Sequence, residues 1–300
     1  MTSHLPSTVL DELLGRPGGS LVSCRSEPIS DGSGAATGAV RRLSGTARLG
    51  DRRIPFTVIH KSAEPVTSGR HAAGAADPRH WAHWRREPLA YAGGLLPSGP
   101  GLAAPRCYGV VGDSVYLADV GGTPETPATA AYRLGRWQAG ATAPDLPWLS
   151  GHQLAQRIAV SDLDWTGLDV HPRIPALWDR RGDLVRRLSR LPQVLVHGDF
   201  SLGNLRASKD GRTTVVLDWA TLGIGPVGAD LASLALTTLG RHLPHYLDGL
   251  DGRFETADVD FGYLATLALT GAGRVHWMLT RGMTPSESYV GFIIDETTSL

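Results

Sequence analysis

The chain has 300 residues, 42% of them hydrophobic and 19% charged, with 29 basic residues balancing 29 acidic ones. That composition suits a folded globular protein and excludes a disordered one, and the zero net charge gives no global field toward nucleic acid or an anionic membrane. Two cysteines, Cys24 and Cys107, stand far apart in no metal-binding spacing, which fits a reducing cytoplasm better than a disulfide framework. No apolar run approaches the roughly 20 residues of a membrane helix, and the acidic start of the chain does not read as a signal peptide.

Taken in order, residues 7–14 read as a short helix and 21–29 as a strand. A glycine-rich turn over 30–38 leads to a second strand over 39–49. Gly50-Asp51 then turns the chain into a third strand over 54–60, which runs straight into Lys61. Residues 80–95 look helical, with Trp81, Trp84, Leu89 and Tyr91 as apolar contacts and Pro88 kinking the helix or delaying its start. Residues 107–111 and 114–120 pair around Gly112-Asp113. Beyond Gly121-Gly122-Thr123-Pro124 the pattern turns helical, over 126–139, 150–160, 175–191, 227–239 and 259–280. Only 193–219 breaks it, with strand and loop. The expected architecture is therefore α+β in two lobes, a strand-rich 1–120 and a mainly helical 121–300. The hinge falls near 119–123, and the cleft between the lobes is a natural ligand site.

Chemistry concentrates in one stretch. Val194-Leu-Val-His197-Gly198-Asp199-Phe-Ser-Leu-Gly-Asn204 is an apolar strand delivering a loop with a carboxylate and, five residues on, an amide. A second apolar run ends in Asp218. Lys209 to Arg212 reads as a tight turn. If the flanking residues pair antiparallel, Asn204 falls opposite Leu217, beside Asp218. Two carboxylates and an amide oxygen are hard ligands suited to Mg²⁺. Phosphoryl transfer needs this equipment: a metal to neutralise phosphate oxygens and a carboxylate to orient the attacking hydroxyl. Asp199 is assigned as catalytic base, with Asn204 and Asp218 as metal ligands.

These residues resemble a known family. HGDFSLGN is similar to the H-G-D-x-x-x-x-N loop of the aminoglycoside phosphotransferase and choline kinase-like superfamily, and LDWATLGIGPVGADLASL resembles that family's following segment. The resemblance implies a protein-kinase-like fold, ATP or GTP as donor, Mg²⁺ as cofactor, and a small hydroxyl- or amine-bearing acceptor. It places Lys61 on the α- and β-phosphates. Of the 29 basic residues only Lys61 and Lys209 are lysines, so a lysine here invites the question of what arginine's planar fork would not do. Glu87 would pair with Lys61. Gly32, Ser33 and Gly34 would cover the phosphates with backbone N–H groups. Asp119 and Val120 would form the hinge that reads the base.

Other residues read more plainly. His197 is a structural hydrogen-bonder, Asp230 braces the catalytic loop from a helix start, Trp219 packs behind the metal site, and Trp277 belongs to the core. Asp248, Asp251, Glu255, Asp258, Asp260, Glu287, Asp295 and Glu296 outnumber the arginines late in the chain and lean toward a cationic acceptor, such as an amino sugar or an antibiotic. The alternative is a non-catalytic nucleotide-binding regulator on the same fold. A monomer or homodimer without nucleic-acid or membrane partners is expected.

Overall fold

A computed structural model describes residues 5–30 and 37–300. The first part is a five-stranded antiparallel sheet in the order β1-β2-β3-β6-β5. Its strands are β1 (Ser20–Ser30), β2 (Thr37–Leu49), β3 (Arg52–Ala63), β5 (Cys107–Val111) and β6 (Ser114–Ala118). Two-residue turns at Gly50-Asp51 and Gly112-Asp113 set the registers Leu49↔Arg52 and Val111↔Ser114. Helix α1 (Ser7–Leu14) lays Val9 and Leu10 on Leu43, Ala47, Phe56, Val58 and Tyr116, closing a small core of its own. Alternation along β3 buries Phe56 and Val58, as period-two patterning requires.

The chain between 64 and 85 is irregular, and the helix expected over 80–95 is only α2 (Arg86–Ala92). Pro88 is its third residue, where the missing N–H has no partner in the helix to lose. Buried Arg86 donates to the carbonyls of Pro78, His80 and Trp148 and so fastens the irregular stretch.

The larger core belongs to the helical part: α3 (Pro127–Gly140), α4 (Gln153–Ala159), α5 (Arg173–Asp179), α6 (Arg181–Leu188), α7 (Ala229–Thr238), α8 (Leu243–Leu250), α9 (Thr256–Leu279) and α10 (Glu287–Glu296). The single helix expected over 175–191 is two, parted at Arg180, and α8 and α10 were not anticipated. Trp277 is 47% exposed, with Arg281 over its ring, and does not join the core. Two small sheets are set into the helices. One is β7 (Gln193–Val196) paired with β10 (Gly223–Pro226). The other is β8 (Leu205–Ala207) and β4 (Gly101–Ala103) flanking β9 (Thr213–Val216). Among the described residues no helix is long and apolar enough to cross a membrane.

Helices α3 and α8 cross at glycines: a methyl group on Gly249 would overlap the Tyr132 carbonyl, and one on Gly135 the Tyr246 carbonyl. Backbones this close leave no room to relax. Gly249→Ala should therefore destabilise the protein by about 1–3 kcal/mol, read as a lower urea midpoint. An unchanged midpoint would mean that the crossing is looser than this packing.

Candidate active site

Lys61 lies within β3, two residues before its end, between Val40 of β2 and Val115 of β6. Its Nζ stands 2.5 Å from Glu87 Oε2 and 2.5 Å from Asp218 Oδ1. Burial alone would lower the pKa of the ammonium, but the two carboxylates outweigh it and hold it above the ordinary lysine value. Burial pushes the Glu87 carboxyl up, with Lys61 pulling the other way. Glu87 also accepts the backbone N–H of Trp219 at 3.2 Å through its other oxygen, so it grips both Lys61 and the residue after Asp218. Burial works against the charge of Asp218 as well, yet Lys61 keeps its carboxyl below the usual range.

The loop after β7 is organised by one buried carboxylate. Asp230, in the first turn of α7, accepts the backbone N–H of His197 at 2.7 Å and of Gly198 at 2.8 Å. The Gln138 amide donates to it at 3.3 Å. Burial raises the Asp230 carboxyl, and these donors support its charged form. Gly198 has φ 85°, and a Cβ there would come within 2.6 Å of the Thr221 carbonyl, so the residue between His197 and Asp199 must be glycine. His197 Nε2–H donates to the Leu217 carbonyl at 2.9 Å, while Nδ1 accepts the Asp199 N–H at 3.2 Å. Both nitrogens are spent on backbone, as a structural histidine requires. Asn204 Nδ2 donates to the Asp199 carbonyl at 3.0 Å and to its carboxylate at 3.1 Å. The Leu217 N–H donates to the Asn204 carbonyl at 2.8 Å, which is the pairing anticipated from the turn at 209–212. Trp219, fully buried, meets His197 edge-on and donates its indole N–H to the Val216 carbonyl at 2.8 Å.

Two cavities meet at Asp218. The first, of about 500 Å³, is lined by Ile29, Val40, Ile59 and Leu117 on one side and Leu217 on the other. Arg42, Lys61, Glu87, Pro105, Ala118, Asp119, Val120, Asn204, Arg206 and Asp218 also line it. The Asp119 side chain is turned to Arg42, at 2.8 Å and 3.3 Å. The second cavity, of about 320 Å³, holds Asp199 and Asp218 at one end. The structure thus brings together Lys61, Glu87, Asp119, Val120, Asp199, Asn204 and Asp218. Gly32, Ser33 and Gly34 lie outside the described residues. Among the described residues no three His, Cys, Asp or Glu side chains gather as a metal cage. Asn204 and Asp218 offer two oxygen donors, a set that fits Mg²⁺ shared with substrate phosphates rather than a cation caged by protein.

Sequence reasoning missed the second cavity's other walls: Trp81, His152, Gln153, Arg157, Thr266 and Arg274. One signal was present, since Thr266, Thr270 and Arg274 recur four residues apart in the apolar middle of α9 and so share a face. The eight carboxylates that suggested a cationic acceptor line neither cavity.

The model of the phosphotransferase enzyme family (APH) matches residues 88–265, more than half of the chain. The chain belongs to that family, and it is a small-molecule phosphotransferase. A comparison with curated proteins finds no sequence match. Solved structures share the fold at low identity. A choline/ethanolamine kinase family protein from Mesorhizobium loti superposes with a TM-score of 0.53 at 13% identity, over 92% of this chain and 86% of that one. A choline kinase from Streptococcus pneumoniae gives 0.52 at 12%, over 97% and 98%. An amicoumacin kinase in complex with AMP-PNP, Ca²⁺ and Ami gives 0.51 at 13%, over 91% and 87%. The α+β, protein-kinase-like fold expected from the sequence is the one observed.

Asp230→Ala would strand the N–H groups of His197 and Gly198, at about 1–3 kcal/mol for each unpaired donor. Urea denaturation should show that loss. A variant with wild-type stability would mean that the loop does not depend on Asp230.

Proposed function

We propose that the protein transfers the terminal phosphoryl group of ATP, or of GTP, to a hydroxyl of a small molecule. Residues 1–120 would carry the nucleotide, and residues 121–300 would supply the catalytic loop and the acceptor site. The observation that carries this reading is Asp218 standing between two cavities, paired with Lys61 in the first and neighboured by Asp199 in the second. The first cavity's apolar faces suit a planar base, and Asp119 and Val120 offer backbone groups at its edge. The amicoumacin kinase structure, with its AMP-PNP and Ca²⁺, supports a nucleotide and a divalent cation.

Lys61 would hold the α- and β-phosphates, fixed in place by Glu87. Mg²⁺ held by Asn204 and Asp218 would neutralise charge on the phosphate oxygens. The Asn204 amide N–H groups donate to Asp199, which leaves its oxygen for the cation. In the second cavity the acceptor hydroxyl is oriented by Asp199, which takes its proton. The hydroxyl oxygen forms a bond to the terminal phosphorus, the bond from that phosphorus to the bridging oxygen breaks, and the nucleoside diphosphate departs.

Asp199→Asn should lower kcat by about 10²–10⁴, the usual share of a general base, with nucleotide affinity unchanged in calorimetry. Turnover at the wild-type rate would remove Asp199 from the mechanism, and a wild-type protein that binds nucleotide yet phosphorylates nothing would favour the non-catalytic regulator. Lys61→Arg should lose activity too, because a planar guanidinium does not reproduce a point charge held between two carboxylates. Full activity in that variant would show that any cation suffices.

A further inference from the structure

In the second cavity the carboxylates and the arginines have separate partners. Its three carboxylates are engaged: Asp230 by two backbone N–H groups, Asp218 by Lys61, and Asp199 by the Asn204 amide. Its two arginines form no ion pair, although the Asp199 charge still favours the Arg157 cation. Among the described residues neither Arg157 nor Arg274 has a carboxylate within 4.0 Å.

Arg157 is positioned rather than loose. Its guanidinium lies 3.9 Å from the centre of the Trp81 ring, and Gln153, with its amide oxygen facing the arginine, accepts from Nε at 3.3 Å and Nη2 at 2.7 Å. These neutral partners orient the fork without cancelling its charge. Burial pushes the pKa of Arg157 down to about 10, the direction expected of a cation removed from water. Arg274 comes from the face of α9 that also carries Thr266 and Thr270.

Hydrogen-bonding groups in the same walls are also unused. Trp81 Nε1–H, both ring nitrogens of His152 and the Thr266 hydroxyl are buried without a partner. Unpaired groups like these are costly unless something else binds them. Burial pushes the His152 pKa down to about 4, so its ring is neutral at pH 7 and offers one donor and one acceptor.

The geometry points to an acceptor that is itself an anion: a small hydroxyl compound whose carboxylate or phosphate is held between Arg157 and Arg274, with its hydroxyl toward Asp199. This rests on the second cavity being the acceptor site of the proposed transfer. Guanidinium forks match planar and tetrahedral oxyanions, and Arg157 is already held in one orientation. The unused donors of Trp81 and Thr266 serve the same ligand. An ammonium placed between the two guanidinium groups would meet like charge.

The test uses the full chain with Mg²⁺ and ATP, or a non-hydrolysable ATP analogue for binding. D-glycerate and D-glucuronate are carboxylate probes and glucose 6-phosphate is a phosphate probe. Choline, glucosamine and kanamycin form the cationic panel. Calorimetry should show at least one anion binding the nucleotide complex, and mass spectrometry its phosphorylated product. Arg274→Gln should weaken that anion by at least about tenfold, the loss of a charge-assisted hydrogen bond, with nucleotide affinity unchanged. Arg274→Lys should recover part of it, which separates lost charge from misfolding. The probe that responds tells carboxylate from phosphate. Turnover of the cationic panel with no anion bound overturns the inference and leaves phosphotransfer standing. Anion binding that Arg274→Gln does not weaken also overturns it. Failure of the wild-type protein to bind ATP with Mg²⁺ overturns both readings.

Discussion

The Lys61 ammonium is buried between two carboxylates that come from distant parts of the chain. Glu87 arrives on α2, and Asp218 arrives from the end of β9 in the helical part. The gross attraction in such a triad is large, but desolvating Lys61 and Glu87 cancels most of it, so its net contribution to stability is small. Its consequence is geometric. Removing Lys61 would strand the buried Glu87 carboxylate, at about 3–5 kcal/mol, so β3, α2 and the turn after β9 are constrained to one arrangement. Glu87 adds a further tie through the Trp219 N–H. The wall shared by both cavities is built on that tie.

Local chemistry explains what the sequence disclosed. The strands β1 to β3, the hairpin of β5 and β6, and α1 announce themselves by two-residue glycine turns and by alternation. The turn at 209–212 fixes a register, and a register fixes every side chain on both strands. That is why the pairing of Asn204 with Leu217, beside Asp218, is legible in the sequence alone. The less visible parts have physical reasons. Residues 64–85 carry no period, because they are held by the carbonyl contacts of Arg86 rather than by a repeating hydrogen-bond ladder. The break between α5 and α6 at Arg180 has no proline at the junction to announce it. Helices α8 and α10 span eight and ten residues, too short for periodicity to stand out.

The second cavity was hidden for a different reason. Its walls come from residues 81–82, 152–157, 196–199, 218–233 and 266–274, and no local motif links them. Counting carboxylates along the late sequence pointed to a cationic ligand, yet those residues sit elsewhere. Several are spent on structure: Asp260 and Glu296 both pair with Arg241, and the Tyr263 hydroxyl donates to Glu296. Charge counted by sequence window and charge facing a cavity are different quantities, because most surface ions are solvated or paired.

The backbone at Asp218 decides where its carboxylate stands. With φ 62° and ψ 70°, it is a non-glycine residue in the left-handed region, at a cost on the order of 1–3 kcal/mol. A residue keeps such a conformation only where its surroundings impose it. Here Trp219 does so: it is fully buried, its indole N–H is held by the Val216 carbonyl and its backbone N–H by Glu87. An extended Asp218 would continue β9 and carry its carboxylate onward with the strand. The left-handed turn ends the strand there and leaves the side chain at the boundary of both cavities, 46% exposed and paired with Lys61. Glycine would relieve the strain and delete the carboxylate. Aspartate retains both because the position of its oxygens at that boundary is what the packing of Trp219 secures.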